Sequence, residues 1–477
     1  MLFNSIDFAI FLPVVFYLYW FIFNKNIKVQ NGFILLASYV FYGWWDYRFL
    51  FLVFASSLCD YLIGQAIYDT DSTRKKKWLL YSSLAINLGM LGFFKYYNFF
   101  VHSFIDAFSL FGAKPDIHTL NIILPVGISF YTFQTLSYTI DIYRGNLKPA
   151  RDGISFFAFV SFFPQLVAGP IERAKNLLPQ FYKERVFDYD KAMLGVKLII
   201  WGLFQKIVLA DTCGKYVNEV FGASATAGSN EIMLACIFFI IQVYCDFSGY
   251  SYVAIGTANL FGFKLMINFR YPFLSRNIPE LWRRWHISLM GWFRDYLYSV
   301  IRKDRRDLGT RMWAIFVVFA VSGLWHGANW TYVLFGVEHG LIIVIYMYLG
   351  LDTKYGTGVV AQGRKWPSFG EVGAIVFTFL LSSTSSLFFR AESVSQSMQM
   401  IKGIFTQPFV PLKGYYLEGA ILFAIMMLVE WFFREQSHPF EKMTLKPVPQ
   451  YAVFYGLVLS IILYASNAGT QFIYFQF

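Results

Sequence analysis

Apolar runs of about 16 to 24 residues recur along the whole chain, each long enough, or nearly so, to cross a hydrocarbon layer of about 30 Å as a helix. They lie near Phe8–Phe23, Gly32–Trp45, Phe49–Ile67, Trp78–Phe99, Asn121–Ile140, Met193–Ala210, Ile232–Phe261, Met312–Trp330, Thr331–Leu349, Val372–Phe388, Gly419–Phe433 and Ala452–Ser466. About twelve spans place both chain ends on one side of the bilayer. Two stretches depart from the pattern. Ile154–Ala168 is apolar but short and runs through Pro164 into Gly169 and Pro170, which predicts a re-entrant or interfacial segment covered by protein or by a watery cavity. Trp282–Val300 mixes Arg283, Arg284, Arg294 and Asp295 with Trp and Leu, which predicts an amphipathic helix lying in the cytoplasmic interface. With no internal repeat and no connection long enough for a second fold, residues 1–477 read as one all-α, polytopic membrane domain.

Composition agrees: 57% of residues are hydrophobic and only 14% charged, too apolar for a soluble core with a polar shell. The net charge of +11 does not point to nucleic acid, because the basic residues sit in short loops between apolar runs. If the N-terminus is extracytoplasmic, the cytoplasmic loops carry Lys25, Lys28, Arg74–Lys77, Arg144–Arg185, Lys264–Arg311, Lys354–Lys365 and Arg434–Lys446. Together they hold roughly 30 of the Lys and Arg, as the positive-inside rule requires of a cytoplasmic-membrane protein. Arg302, Lys303, Arg305 and Arg306 suit the phosphates of coenzyme A and of anionic membrane lipid alike. Cys59, Cys213, Cys236 and Cys245 form no CxxC pair and read as small buried residues with no disulfide frame or zinc site.

The chemistry centres on Val317–Gly340, where His326 stands in the middle of an apolar run. An ionisable group at membrane depth is a functional-site hypothesis by default. Gly323, Gly327 and Ala328 beside it leave room for substrate or for close helix contact. A second histidine, His286, lies 40 positions earlier, across a basic stretch. Imidazole suits the removal of a hydroxyl proton during acyl transfer, since its pKa lies near working pH. Trp325 and Asn329 are placed to orient the ring or donate to a developing oxyanion. His326 and His339, 13 apart, lack the i, i+4 spacing of a zinc helix. Neither a GxSxG elbow nor a phosphate-binding loop is present. A channel or transporter for an envelope glycan or acyl carrier remains an alternative on the residues alone. Asp246, with Glu338 and Glu430 behind it, would then be the intramembrane carboxylate, and Asp246 also reads as a helix-to-helix hydrogen-bonding group.

Four strings in register narrow the choice: LPVGISFYTFQTLSYTIDIYRG (Leu124–Gly145), FFPQLVAGPIERAKNLLPQF (Phe162–Phe181), YPFLSRNIPELWRRWHISLMGWFRDYLY (Tyr271–Tyr298) and SGLWHGANWTYVLFGVEHG (Ser322–Gly340). They closely resemble the membrane-bound O-acyltransferases, and within them the bacterial branch that acetylates alginate and peptidoglycan. The resemblance implies a ring of tilted helices around a central tunnel, with the family histidine, matched by His326, at its narrowest point. His286 matches the second polar position and would assist or position the donor. The resemblance also implies a cytoplasmic thioester donor, acetyl-CoA, with no bound cofactor. It further implies a cell-surface polysaccharide acceptor reached through an extracytoplasmic partner of the SGNH-hydrolase type, with acylation of a lipid or protein as the variant. The closing FIYFQF resembles a C-terminal aromatic motif of this branch, which makes Tyr474 a candidate acyl relay with His326 as its base. Two departures stand out. Tyr252 follows DFSGYS where the family usually has Asp, and SVIRKDRR replaces a Pro-Leu-Gly-Gly turn.

Overall fold

A computed structural model describes residues 1–112, 117–167, 169–443, 446–465 and 472–473. Among these the secondary structure is helical throughout, with no strand. Eight helical runs among the described residues are long and apolar enough to cross a membrane: Ile27–Asp69, Tyr189–Gly222, Ser229–Leu260, Leu308–His326, Trp330–Tyr348, Phe369–Arg390, Tyr416–Phe433 and Pro447–Ala465. Large apolar side chains stand exposed along them, including Leu36 (61%), Phe377 (60%) and Ile462 (64%). An apolar surface of this extent suits lipid and not water, so the chain is an integral membrane protein.

The expected runs and these helices differ in places for local reasons. The runs near Gly32–Trp45 and Phe49–Ile67 are two 20-residue helices, Ile27–Asp46 and Leu50–Asp69, separated by the extended Asp46 (φ −160°) and one 3₁₀ turn, where the Asp46 carboxylate accepts from Arg48 N at 3.0 Å. The helix within Asn121–Ile140 starts only at Ile128, after Pro125 and Gly127, whose φ of 76° is left-handed. It then runs 16 residues to Tyr143, about 24 Å at 1.5 Å per residue, short of a full crossing.

The described residues gather into two compact units, Met1–Met193 with Thr257–Met266, and Leu194–Gly256 with Ile267–Phe477. In the first, the fully buried Asp60 pins three helices together. It accepts from Ser83 Oγ at 2.6 Å, Asn87 Nδ2 at 2.8 Å and Thr139 Oγ1 at 3.1 Å. Asn87 Oδ1 in turn accepts from Ser56 and Thr135 at 3.1 and 3.2 Å. Every oxygen of this carboxylate is matched by a donor, as a charge-bearing group among apolar helices requires. The apolar stretch after Ile154 forms two short helices, Gly153–Val160 and Phe163–Leu166, with Phe156, Phe159, Phe162 and Phe163 wholly buried. Polar side chains satisfy the backbone between and around them: Gln134 donates to Phe159 O at 2.8 Å, and Phe163 N donates to Ser38 Oγ at 3.1 Å.

The second unit is built on helices that touch backbone to backbone. A Cβ on Gly202 would meet Gly249 O at 2.4 Å, and one on Gly256 would meet Gly195 O at 2.4 Å, so the helices Tyr189–Leu203 and Ser229–Leu260 lie in contact. The helices Leu308–His326 and Trp330–Tyr348 form a tight hairpin. A Cβ on Gly323 would stand 2.3 Å from Tyr332 O, and one on Gly336 2.3 Å from Phe319 O. A Cβ on Gly327 would strike the Tyr332 ring at 2.2 Å. Of the two uses open to these glycines, close helix contact is the one the fold makes of them.

Candidate active site

His326 ends its helix, and Gly327 turns the chain out of it in extended conformation (φ −161°). The hairpin places the imidazole inside the second unit, 4% exposed. His286 arrives by a different route. The expected interfacial helix over Trp282–Val300 does not run through: Ile278–Arg284 ends, Trp285 is extended, and a new helix, Ile287–Phe293, begins after His286. Asn277 opens the first of these helices by accepting from Glu280 N at 2.8 Å. The buried Glu280 then clamps Arg276 and Arg284, each at 3.0 Å. On either side of the break Arg270 N donates to Arg284 O at 2.9 Å and Ile287 N to Asn268 O at 2.8 Å. Held between these bonds, His286 adopts φ 44°, ψ 50°. The left-handed region costs a non-glycine residue of order 1–3 kcal/mol and is a mark of functional geometry. The result is a fully buried imidazole in place of an interfacial one.

The two histidine rings stand 6.3 Å apart between centroids, and Trp325 lies 5.9 Å from His286 and 5.2 Å from His326. Phe389 closes the other side of His326 at 5.2 Å. His286 Nδ1 accepts from Leu289 N at 3.3 Å, which puts the proton of a neutral ring on Nε2 and makes that atom a donor. Burial, and after it the neighbouring His326, holds the His286 pKa well below the usual histidine value, so the ring stays neutral. A cavity of about 40 Å³ opens beside His326, lined also by Trp282, Trp285, Phe335, His339 and Phe389. That is space for one or two waters, a narrow slot with largely aromatic walls.

Of the residues singled out from sequence, His286, His326 and Trp325 come together. Asn329 has other duties: its Oδ1 accepts from Thr331 N at 3.1 Å as the cap of the second hairpin helix, and its Nδ2 donates to Glu392 O at 2.9 Å. Asp246 is fully engaged, with Lys206 Nζ 2.8 Å away and Ile473 N donating to it at 2.8 Å. Glu430 pairs with Tyr244, and Glu338 accepts from Ser385 at 2.8 Å. Tyr474 lies outside the described residues. Sequence reading weighed His339 only as a zinc ligand and set it aside; it lies 2% exposed on the cavity wall, with Nδ1 3.1 Å from Phe335 O. A carbonyl only accepts, so that nitrogen donates and Nε2 keeps its lone pair. The glycine pair across the hairpin was its only signal, since that register turns position 339 towards the same interior as His326.

Comparison with known proteins bears on the same residues. The pattern of the membrane-bound O-acyltransferase family matches residues 151–351, which include His286, His326 and His339. A probable alginate O-acetylase of Pseudomonas putida is 38% identical over 409 residues, 85% of this chain and 80% of its own length. The chain belongs to the membrane-bound O-acyltransferase family. A peptidoglycan O-acetyltransferase of Helicobacter pylori is 31% identical over 433 residues, 85% of this chain and 80% of that protein. A teichoic acid D-alanyltransferase of Streptococcus thermophilus is 33% identical over 265 residues, 52% and 63% of the two chains. Membership makes the protein a membrane-embedded O-acyltransferase, and the two buried histidines lie within the matched stretch.

Proposed function

We propose that this O-acyltransferase moves an acetyl, or another short acyl group, from a cytoplasmic thioester such as acetyl-CoA to hydroxyls destined for a cell-surface polysaccharide. One observation carries the reading: His286 and His326 are both buried with their rings 6.3 Å apart, a proton donor beside a proton acceptor, and His326 lines a narrow cavity that admits little water. Relatives named for alginate and peptidoglycan acetylation point the acceptor towards an envelope glycan.

In this mechanism the hydroxyl oxygen attacks the thioester carbonyl carbon while His326 removes the hydroxyl proton. The oxyanion that forms takes a hydrogen bond from His286 Nε2–H, a preorganised donor in a water-poor site. Collapse breaks the C–S bond, and the imidazolium of His326 returns its proton to the leaving thiolate. Trp325, packed beside both rings, buttresses the pair. Delivery to the polymer falls to an extracytoplasmic partner of the SGNH-hydrolase type, with Tyr474 as the intermediate acyl carrier. The N-terminus lies outside and the basic loops face the cytoplasm of a bacterial inner membrane.

The test is acyl transfer in sealed inside-out vesicles supplied with labelled acetyl-CoA. Release of free CoA, with the acetyl label recovered as ester on Tyr474 or on an added glycan acceptor, supports the reading. Donor left intact while a glycan crosses the vesicle wall would instead identify a transporter.

A further inference from the structure

Phe472 and Ile473 lie inside the second unit against a buried ion cluster that the mechanism above does not use. Lys206 Nζ lies 2.7 Å from Asp211 Oδ1 and 2.8 Å from Asp246 Oδ1, and all three side chains are no more than 7% exposed. Lys206 sits in a π-helical stretch, Phe204–Ala210, a rare geometry that concentrates at functional positions. One ammonium against two carboxylates leaves a negative charge in excess, and burial makes an unmatched carboxylate oxygen costly. A further donor comes from Ile473, whose N–H bonds to Asp246 Oδ2 at 2.8 Å.

The residue next to this bond is one ring removed from His286. Phe472, 2% exposed, packs at 4.5 Å on Tyr250 and at 6.2 Å on Phe247 between ring centroids. Phe247 follows Asp246 in the same helix, and its ring lies 4.6 Å from that of His286. The carboxylate that anchors Ile473 is therefore adjacent to the ring that backs the buried histidine.

We infer that Lys206, Asp211 and Asp246 form a dock for Phe472 and Ile473, and that the docked Phe472 sets the position of His286 through Phe247. Asp246, Phe247 and Phe472 are positioning residues. The inference rests on the catalytic reading of His286 and His326, but the dock itself is measurable without it.

Ile473→Cys keeps the backbone N–H and, with Cys59 replaced by Ser, becomes the reporter. The thiol should react slowly with a maleimide in the otherwise wild-type protein and at least tenfold faster once Asp246→Ala is added. Equal rates would overturn the dock, whatever the protein catalyses. For the positioning role, Ile473→Pro removes the donated N–H, with some restriction of the Phe472 backbone beside it, and leaves the helix Ser229–Leu260 unaltered in sequence. It should lower kcat for acetyl transfer about tenfold with KM for acetyl-CoA unchanged, and Asp246→Ala on top of it should add little. Phe472→Ala should act like Ile473→Pro, and Phe472→Tyr should restore the rate. Wild-type kcat in a folded Ile473→Pro protein, or losses that simply multiply, would remove the link to His286. Wild-type turnover in His326→Ala would instead remove the catalytic reading and leave the maleimide result standing.

Discussion

His286 shows how one residue's backbone decides its chemistry. Its left-handed conformation and the bond from Leu289 N to Nδ1 leave Nε2 as a donor, and burial keeps the ring neutral across the working range. A donor can be replaced by another donor, whereas a base cannot. His286→Gln, whose amide N–H has comparable reach, is expected to retain far more activity than His286→Ala, which should lose about 10² in kcat. Equal losses in the two variants would contradict the donor role. Glu172 gives a residue-scale test of stability. It is 2% exposed and accepts from Met266 N, and burial pushes its pKa up to about 7 despite that bond and the nearby Arg173. Between the ordinary glutamate value and about 7 the folded state binds more protons than the unfolded one, so stability falls as pH rises through that window and levels off above it. Glu172→Gln should flatten the dependence of Tm on pH between about 5 and 8. A slope in the variant as steep as in the wild type would show that another group is responsible.

At the scale of elements, the hairpin holding His326 depends on glycine-to-backbone contact. Gly323→Ala would set a methyl 2.3 Å from Tyr332 O, and a backbone carbonyl cannot step aside as a flexible side chain can. Overpacking of this kind costs about 1–3 kcal/mol, and a drop of several degrees in Tm with loss of activity is expected. Gly370→Ala, which has open space around it, serves as the neutral control. The same elements show what the sequence disclosed and what it withheld. Apolar run length located the helices around His326 because their burial pattern is periodic and local. It could not disclose the break at His286, because helical propensity over Trp282–Val300 is unremarkable and the left-handed turn is imposed by Asn268, Arg270 and the Glu280 clamp. Nor could it tell a glycine that makes room for substrate from one pressed against a neighbouring helix. Asp246 read as an intramembrane carboxylate without an assignment, since its partners, Lys206 and Ile473, lie 40 residues before it and 227 after it.

For the whole molecule, family, fold class and activity were legible because four long strings match in order, and the comparisons bear them out. Span count was less so. Hydropathy marks apolar stretches, but Asp60 and its five hydroxyl and amide neighbours show that helices in this protein also carry matched polar groups inside. Asp60→Leu would leave Ser83, Asn87 and Thr139 facing an alkyl chain, and a loss of folded protein in detergent is expected, while Asp60→Asn should be milder. The proposed orientation is checked by a cysteine in place of Lys76, which should resist membrane-impermeant labelling in intact cells and react after permeabilisation. Labelling from outside would invert the topology. The most direct measurement for the catalytic centre is acetyl-CoA turnover by the purified protein in nanodiscs, wild type beside His326→Ala, with folding of both checked by size exclusion. The proposed mechanism predicts a folded variant whose turnover falls by at least about 10², and turnover equal to wild type in that variant would contradict it.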